Sequence, residues 1–156
     1  MAEQKKIDIT FRIASIKTIK FAIENIEETT KIDKATFEFN ISIGMFADPE
    51  QKIIGYNVFT DVFTDKTKLI KVSELATQII YDIVNFNEVI SRDEVNKVLN
   101  IPDVFITTLI SIALSTTRGI FAAKTEGSVL DGVYIPILDP KVFKPVPIPT
   151  SNPTKT

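Results

Sequence analysis

A chain of 156 residues can enclose one hydrophobic core, burying roughly 70% of its unfolded surface, and is too short to suggest a second domain. With 18 Lys and Arg against 20 Asp and Glu its formal charge is −2, so it lacks the basic stripe that counterion release on nucleic acid requires. Cysteine and histidine are both absent, which removes disulfides, thiolate metal sites, a thiol nucleophile and the usual general base of neutral pH.

The segment Met1-Ala2-Glu3-Gln4-Lys5-Lys6 runs straight into alternating apolar residues with no continuous apolar stretch, so no signal peptide is read. Together with the missing cysteines this sets the expectation of a cytoplasmic, reducing location. Between Ile7 and Ile23 the apolar residues Ile7, Ile9, Phe11 and Ile13 alternate, slip by one at Ile16, and resume at Ile19, Phe21 and Ile23. That pattern predicts one strand with a bulge or bend near Ala14-Ser15. Charge breaks the alternation over Asn25 to Lys31, where Glu27-Glu28 reads as part of a solvated loop. The next strand places Ala35, Phe37, Phe39, Ile41, Ile43 and Met45 on one face and Thr36, Glu38, Asn40, Ser42 and Gly44 on the other, the mark of a half-buried antiparallel strand. Asp48-Pro49-Glu50-Gln51 has the form of a type I turn and predicts a hairpin.

The third strand, about Lys52 to Thr64, is apolar on both faces, as in a central strand. After a polar turn at Asp65-Lys66-Thr67-Lys68, a fourth and long strand is read from about Leu69 to Ile83. Leu75, Ile79, Ile80 and Ile83 fit helical spacing equally well, so periodicity leaves strand and helix open there. Ser91-Arg92-Asp93-Glu94 has the form of a capping box and predicts a short helix at about 92 to 99. A long helix should begin at Pro102 and run to Phe121 or slightly beyond.

No charged residue occurs between Val104 and Thr117, yet this stretch is short for a bilayer and diluted by Thr and Ser, so a buried helix is expected rather than a membrane-inserted one. Its apolar residues spread around the axis: Phe105, Leu109 and Ala113 form one stripe, Ile106, Ile110 and Leu114 lie beside it, and Ile112 lies elsewhere. One sheet covers one side of a helix, so a partner subunit is expected over the rest. At the helix exit, Arg118 is read as satisfying the last carbonyls and Gly119 as permitting the turn, with contact to a client or neighbouring subunit as the alternative for Arg118. Val133 to Leu138 reads as extended. Residues 1–143 form the domain, and 144–156, with Pro145, Pro147, Pro149 and Pro153, read as a disordered tail. The motif Pro145-Val146-Pro147-Ile148-Pro149 reads as a bare linker, with docking into a groove as the alternative.

Strands followed by a helix define an α+β chain with sticky apolar surface on both layers and little chemistry. Ser and Thr lack a His partner, no glycine-rich phosphate loop exists, and the carboxylates show no ligand spacing, so no enzyme activity, metal or cofactor is expected. Another polypeptide is the expected ligand.

Phe11-Arg12-Ile13-Ala14-Ser15-Ile16-Lys17-Thr18, then Lys71-Val72-Ser73-Glu74-Leu75 to Ile80-Tyr81-Asp82-Ile83, and above all Thr117-Arg118-Gly119-Ile120-Phe121 followed by Leu138-Asp139-Pro140-Lys141-Val142-Phe143, resemble the SecB family. These bacterial chaperones hold preproteins unfolded for export. The resemblance spans most of residues 6 to 143 and implies a four-stranded antiparallel sheet with a long helix, assembled as a dimer of dimers. It favours the strand reading of 71 to 83. It also implies docking of the SecA export ATPase at Glu74, although the acidic residues expected near the end of the first strand are here Lys20 and Ala22, and residues 124 to 132 look like an insertion. Members of the broader group serve as dedicated antitoxin chaperones.

Phe86, Phe105, Phe121 and Tyr134 are the candidate client-binding residues, with ordinary core as the alternative. Leu75, Thr77, Leu109 and Ile112 are candidates for an oligomer interface. The expected function is an ATP-independent holdase, a homotetramer that shields apolar stretches of unfolded or preprotein polypeptides. An antitoxin chaperone, a scaffold that binds one folded partner, and a carrier of a lipid-like molecule are the alternatives.

Overall fold

The computed structural model describes residues 8–24, 37–64, 70–143 and 147–150. The loop read at Asn25 to Lys31, the turn at Asp65 to Lys68 and most of the proline-rich tail lie outside the described residues.

The alternating segments fold as β1 (Phe11–Ile23), β2 (Glu38–Asp48), β3 (Ile53–Phe63) and β4 (Lys71–Ile83), one antiparallel sheet in the order β1-β4-β3-β2. The slip in the apolar pattern of β1 is a register shift between Ile13 and Ser15, and a second shift lies between Thr18 and Lys20. The shifts keep apolar residues on one face: Phe11, Ile13, Ile16 and Phe21 stand opposite Ile83, Tyr81, Ile79 and Leu75 of β4. The β2–β3 hairpin turns where Asp48 and Pro49 predict it. The Asp48 carboxylate accepts the amides of Glu50 at 3.0 Å and Gln51 at 3.2 Å, and Lys52 closes the turn at φ 57°. Paired on both sides by β1 and β3, β4 is a central strand, which resolves the strand–helix ambiguity.

The second layer is a long helix, α2 (Asp103–Thr125), lying across one sheet face. Its buried residues, Phe105, Ile106, Leu109, Ile110, Ala113, Leu114, Thr117 and Phe121, recur at helical spacing and form the contact stripe. By length and composition α2 is apolar enough to cross a membrane, but it buries this stripe on the sheet as a core helix does. Two hydrogen bonds tie the layers together: the Tyr81 hydroxyl donates to the Leu109 carbonyl at 2.9 Å, and the Thr77 and Thr117 hydroxyls meet at 2.7 Å. The core divides along the helix. One cluster gathers Tyr56, Ile79, Phe86, Phe105 and Leu109, and the other gathers Val62, Leu75, Phe121, Leu130 and Ile135.

Three local expectations are corrected. The capping-box segment is not a helix: a one-turn α1 (Phe86–Val89) leads into a hairpin of β5 (Ser91–Asp93) and β6 (Val98–Asn100). The Asp93 carboxylate takes the amides of Val95 at 3.0 Å and Asn96 at 2.9 Å, closing a turn that competes with the helical start. Those donors, with the Asn96 side-chain amide, hold the Asp93 carboxyl below its ordinary range. Val95 is almost fully exposed, so no apolar helical face forms.

Second, α2 ends at Thr125, slightly beyond Phe121 as expected, so Arg118 and Gly119 lie inside the helix rather than closing it; Arg118 instead donates to the carbonyls of Ile135 at 3.0 Å and Pro136 at 3.1 Å, clamping the returning chain. Pro102 precedes the helix as its N-cap, where its carbonyl accepts the amides of Phe105 and Ile106. Third, residues 147–150 are docked. A two-residue β7 (Ile148–Pro149) pairs antiparallel with β6, Thr150 donates to the Lys97 carbonyl at 2.8 Å, and Ile148 is 6% exposed in the first core cluster.

Candidate polypeptide-binding grooves

Two grooves flank the first turns of α2. One, of about 530 Å³, lies between the helix and the 3₁₀ turn Pro140–Val142 and is lined by Val104, Thr107, Thr108, Ile110, Lys141 and Phe143, among others. The turn is set by Asp139, whose side chain caps the Lys141 amide at 3.0 Å, and Pro140 supplies the constrained backbone. The other groove, of about 520 Å³, adjoins it at the helix start and lies between β2, the β5–β6 hairpin and β7. Met45, Val89, Val98, Leu99, Ile101 and Ile148 form most of its apolar lining.

Asp103 and Ile106 line both grooves, so the two meet at the head of α2. Charged side chains on this lining come from Asp103 and Lys141, at opposite sides of the 530 Å³ groove; the rest is aliphatic, aromatic, hydroxyl or amide. Such a surface binds by burial and discriminates little between side chains. Val104, 81% exposed, and Val142 add open apolar surface beside it.

The structure places the sequence-derived candidates elsewhere. Phe86, Phe105 and Phe121 are buried in the chain's own core: Phe105 stacks edge-on against Phe11, with ring centroids 5.3 Å apart, and Phe121 against Phe39 at 6.2 Å. Phe86 and Phe105 share one cluster, and Phe121 sits in the other. Tyr134 is 64% exposed but lines neither groove. Leu75, Thr77 and Leu109 are covered by the contact between α2 and the sheet, whereas Ile112 is half-buried. Groove residues such as Val104, Phe143 and Ile148 were missed. Val104 is visible in the sequence as an apolar residue out of phase with the Phe105–Leu109–Ala113 stripe. Ile148 is one of two branched aliphatics, with Val146, set among alternating prolines.

Glu74 lies on the sheet face away from α2. It is paired with Lys20 and with Lys71, at 2.9 Å, and Lys71 also reaches Asp61 at 3.0 Å. Hydrogen bonds from Lys20 and then Lys71 lower the Glu74 pKa, while Glu74 and Asp61 raise that of Lys71. The patch is charge-balanced rather than acidic.

No protein-family model matches this chain, and no curated protein matches it. Among solved structures it is similar to the Mycobacterium tuberculosis SecB-like chaperone Rv1957 in complex with a ChAD peptide from the Rv1956 HigA1 antitoxin. The two are 10% identical, with a TM-score of 0.45 over 74% of this chain and 78% of that one.

Proposed function

We propose that this protein is an ATP-independent holdase that binds extended apolar segments of unfolded polypeptides and works in the cytoplasm. The observation that carries the reading is the meeting of two largely uncharged apolar grooves at the head of α2. Apolar burial contributes about 25 cal/mol per Å² before ordering costs, so a track of this kind gains affinity from length rather than from any one contact. Folded proteins hide the segments that would bind, which makes the selection topological.

We read the working form as a homo-oligomer, a dimer of dimers. The outward side of α2, with Thr108, Ser111, Ile112, Ser115, Thr116 and Gly119, is small and uncharged, and the edge strand β1 exposes Ile13, Ile16 and Ile19. Docking of SecA at Glu74 is not part of the proposal, because Lys20 and Lys71 already pair that carboxylate.

The test is aggregation of a denaturant-diluted client, followed by light scattering without nucleotide. The wild type should suppress aggregation at near-stoichiometric ratios. Val104→Asp should weaken capture about tenfold, near 1.4 kcal/mol, by placing a carboxylate on the groove wall. It should leave the fold intact, because the position is exposed and a carboxylate in the first helical turn is favourable. No suppression by the wild type would refute the holdase. Suppression unaffected by Val104→Asp would move the client off this groove, and suppression confined to one antitoxin would narrow the function to a dedicated chaperone.

A further inference from the structure

We propose that β7 is a resident stand-in for the client: it occupies the edge of β6 as an added strand and is displaced there by an extended, aliphatic segment of unfolded polypeptide. The proposal deepens the holdase reading and rests on it.

The sequence around β7 is suited to filling an edge without creating another. Thr150 donates its amide to the Lys97 carbonyl, and Val98 and Leu99 stand opposite Pro149 and Ile148. Strand alternation therefore turns the amide positions of 148 and 150 toward β6 and those of 147 and 149 away from it. Both outward positions are proline, which has no amide to offer a further strand. Between them a single large side chain, Ile148, is buried beside Leu99 and Ile106 while Pro147 and Pro149 remain exposed.

This is the binding chemistry expected for a client: extended backbone on a strand edge, with one aliphatic anchor in an apolar floor. The hold is small: two paired residues, one buried side chain, and the amide and hydroxyl of Thr150 on the Lys97 carbonyl. The groove of about 520 Å³ that Ile148 itself lines continues beside it, with Met45, Val89 and Ile106 on its walls. A longer incoming strand would use that space as well as the seat of Ile148. β7 thus covers the β6 edge when no client is present and competes with clients for it.

The absence of cysteine from these 156 residues allows a direct test in the chain as it stands. Val98→Cys with Pro149→Cys places two thiols at directly opposed positions next to the bonded Lys97–Thr150 pair. Such a pair has a Cα separation of about 4.5 Å, which a disulfide spans. The probe is dye-labelled, reduced and carboxymethylated α-lactalbumin, with binding read by fluorescence anisotropy. The oxidised variant, its β7 locked, should bind at least tenfold more weakly than the same protein after reduction, and reductant should leave the wild type unchanged. In a second variant, Ile148→Ser, loss of the anchor should tighten binding above wild type, with folding checked by circular dichroism. Equal binding by oxidised and reduced forms, with the wild type also binding, would overturn the displacement and leave the holdase standing. If the wild type and both variants fail to bind, the holdase reading falls and this inference falls with it.

Discussion

The contact between Thr77 and Thr117 has an assignable direction. The Thr117 hydroxyl donates to the Ala113 carbonyl at 2.8 Å, so across the 2.7 Å separation from Thr77 it must accept, and Thr77 donates. The two positions are therefore unequal although both are buried. Thr77→Val removes a donor while Thr117 keeps its bond to Ala113, and should cost about 0.5–1.5 kcal/mol. Thr117→Val strands the Thr77 hydroxyl in a dry interface and should cost more, about 1–3 kcal/mol, whereas the double variant should cost less than the sum. Urea unfolding of the four proteins measures all three numbers, and equal single costs would show that Thr77 is not the donor. Periodicity left the segment of Leu75 and Thr77 open between strand and helix, and only the family resemblance favoured the strand that makes them face a covering layer. What covers them is non-local, and in this chain it is α2 rather than a second subunit.

At the scale of elements, strands were legible wherever one face is wet, because period-2 alternation records burial on one side. Even the bulge of β1 showed as a slip in that pattern. The hairpin at 91–100 was not legible, since Ser91-x-x-Glu94 matches a capping box residue for residue and only the geometry of the Asp93 carboxylate decides between turn and helix. The end of α2 was legible, but the roles of Arg118 and Gly119 were misread for a related reason: Arg118-Gly119 looks like a stop signal, yet a glycine can sit within a helix at a modest energetic cost. Gly119 is exposed, and apart from its chain neighbours and the adjoining helix backbone a methyl group there would meet no described atom within 4 Å. Gly119→Ala should therefore stabilise the protein by about 0.5–1 kcal/mol through helix propensity. A rise in the denaturant midpoint at unchanged slope would fit; a fall would mean that another surface approaches the helix closely at this point.

For the whole molecule, the grooves could not be read from sequence, because each is assembled from segments distant along the chain. Phe143 meets Val104 and Thr107 of α2 in one, and Ile148 meets Met45 and Leu99 in the other. Large aromatic residues drew attention first, and large aromatics are what a core of this size takes for itself, as Phe86, Phe105 and Phe121 show. What remains in water after the core is complete is informative. The edge strand β1 carries Ile13, Ile16 and Ile19, each roughly half exposed, and Ile13 and Ile16 lie on the sheet face that α2 covers only in part.

A long strand edge lined with isoleucine is an aggregation hazard unless something covers it, and a second copy of the chain covers it symmetrically. If the proposed oligomer uses this edge, Ile13→Lys with Ile16→Lys should weaken assembly by a factor of about 100, near 2.7 kcal/mol, because two cations would be brought into an apolar contact. The same changes should alter the fold little, since both side chains already reach water and lysine can carry its charge outward along its stem. Light scattering after gel filtration should then give an oligomer for the wild type and a monomer of unchanged circular dichroism for the double variant. A wild type that runs as a monomer at tens of micromolar would remove the assembly from the proposal. It would also leave the exposed isoleucines of β1 as further surface on which an unfolded segment can add as a strand.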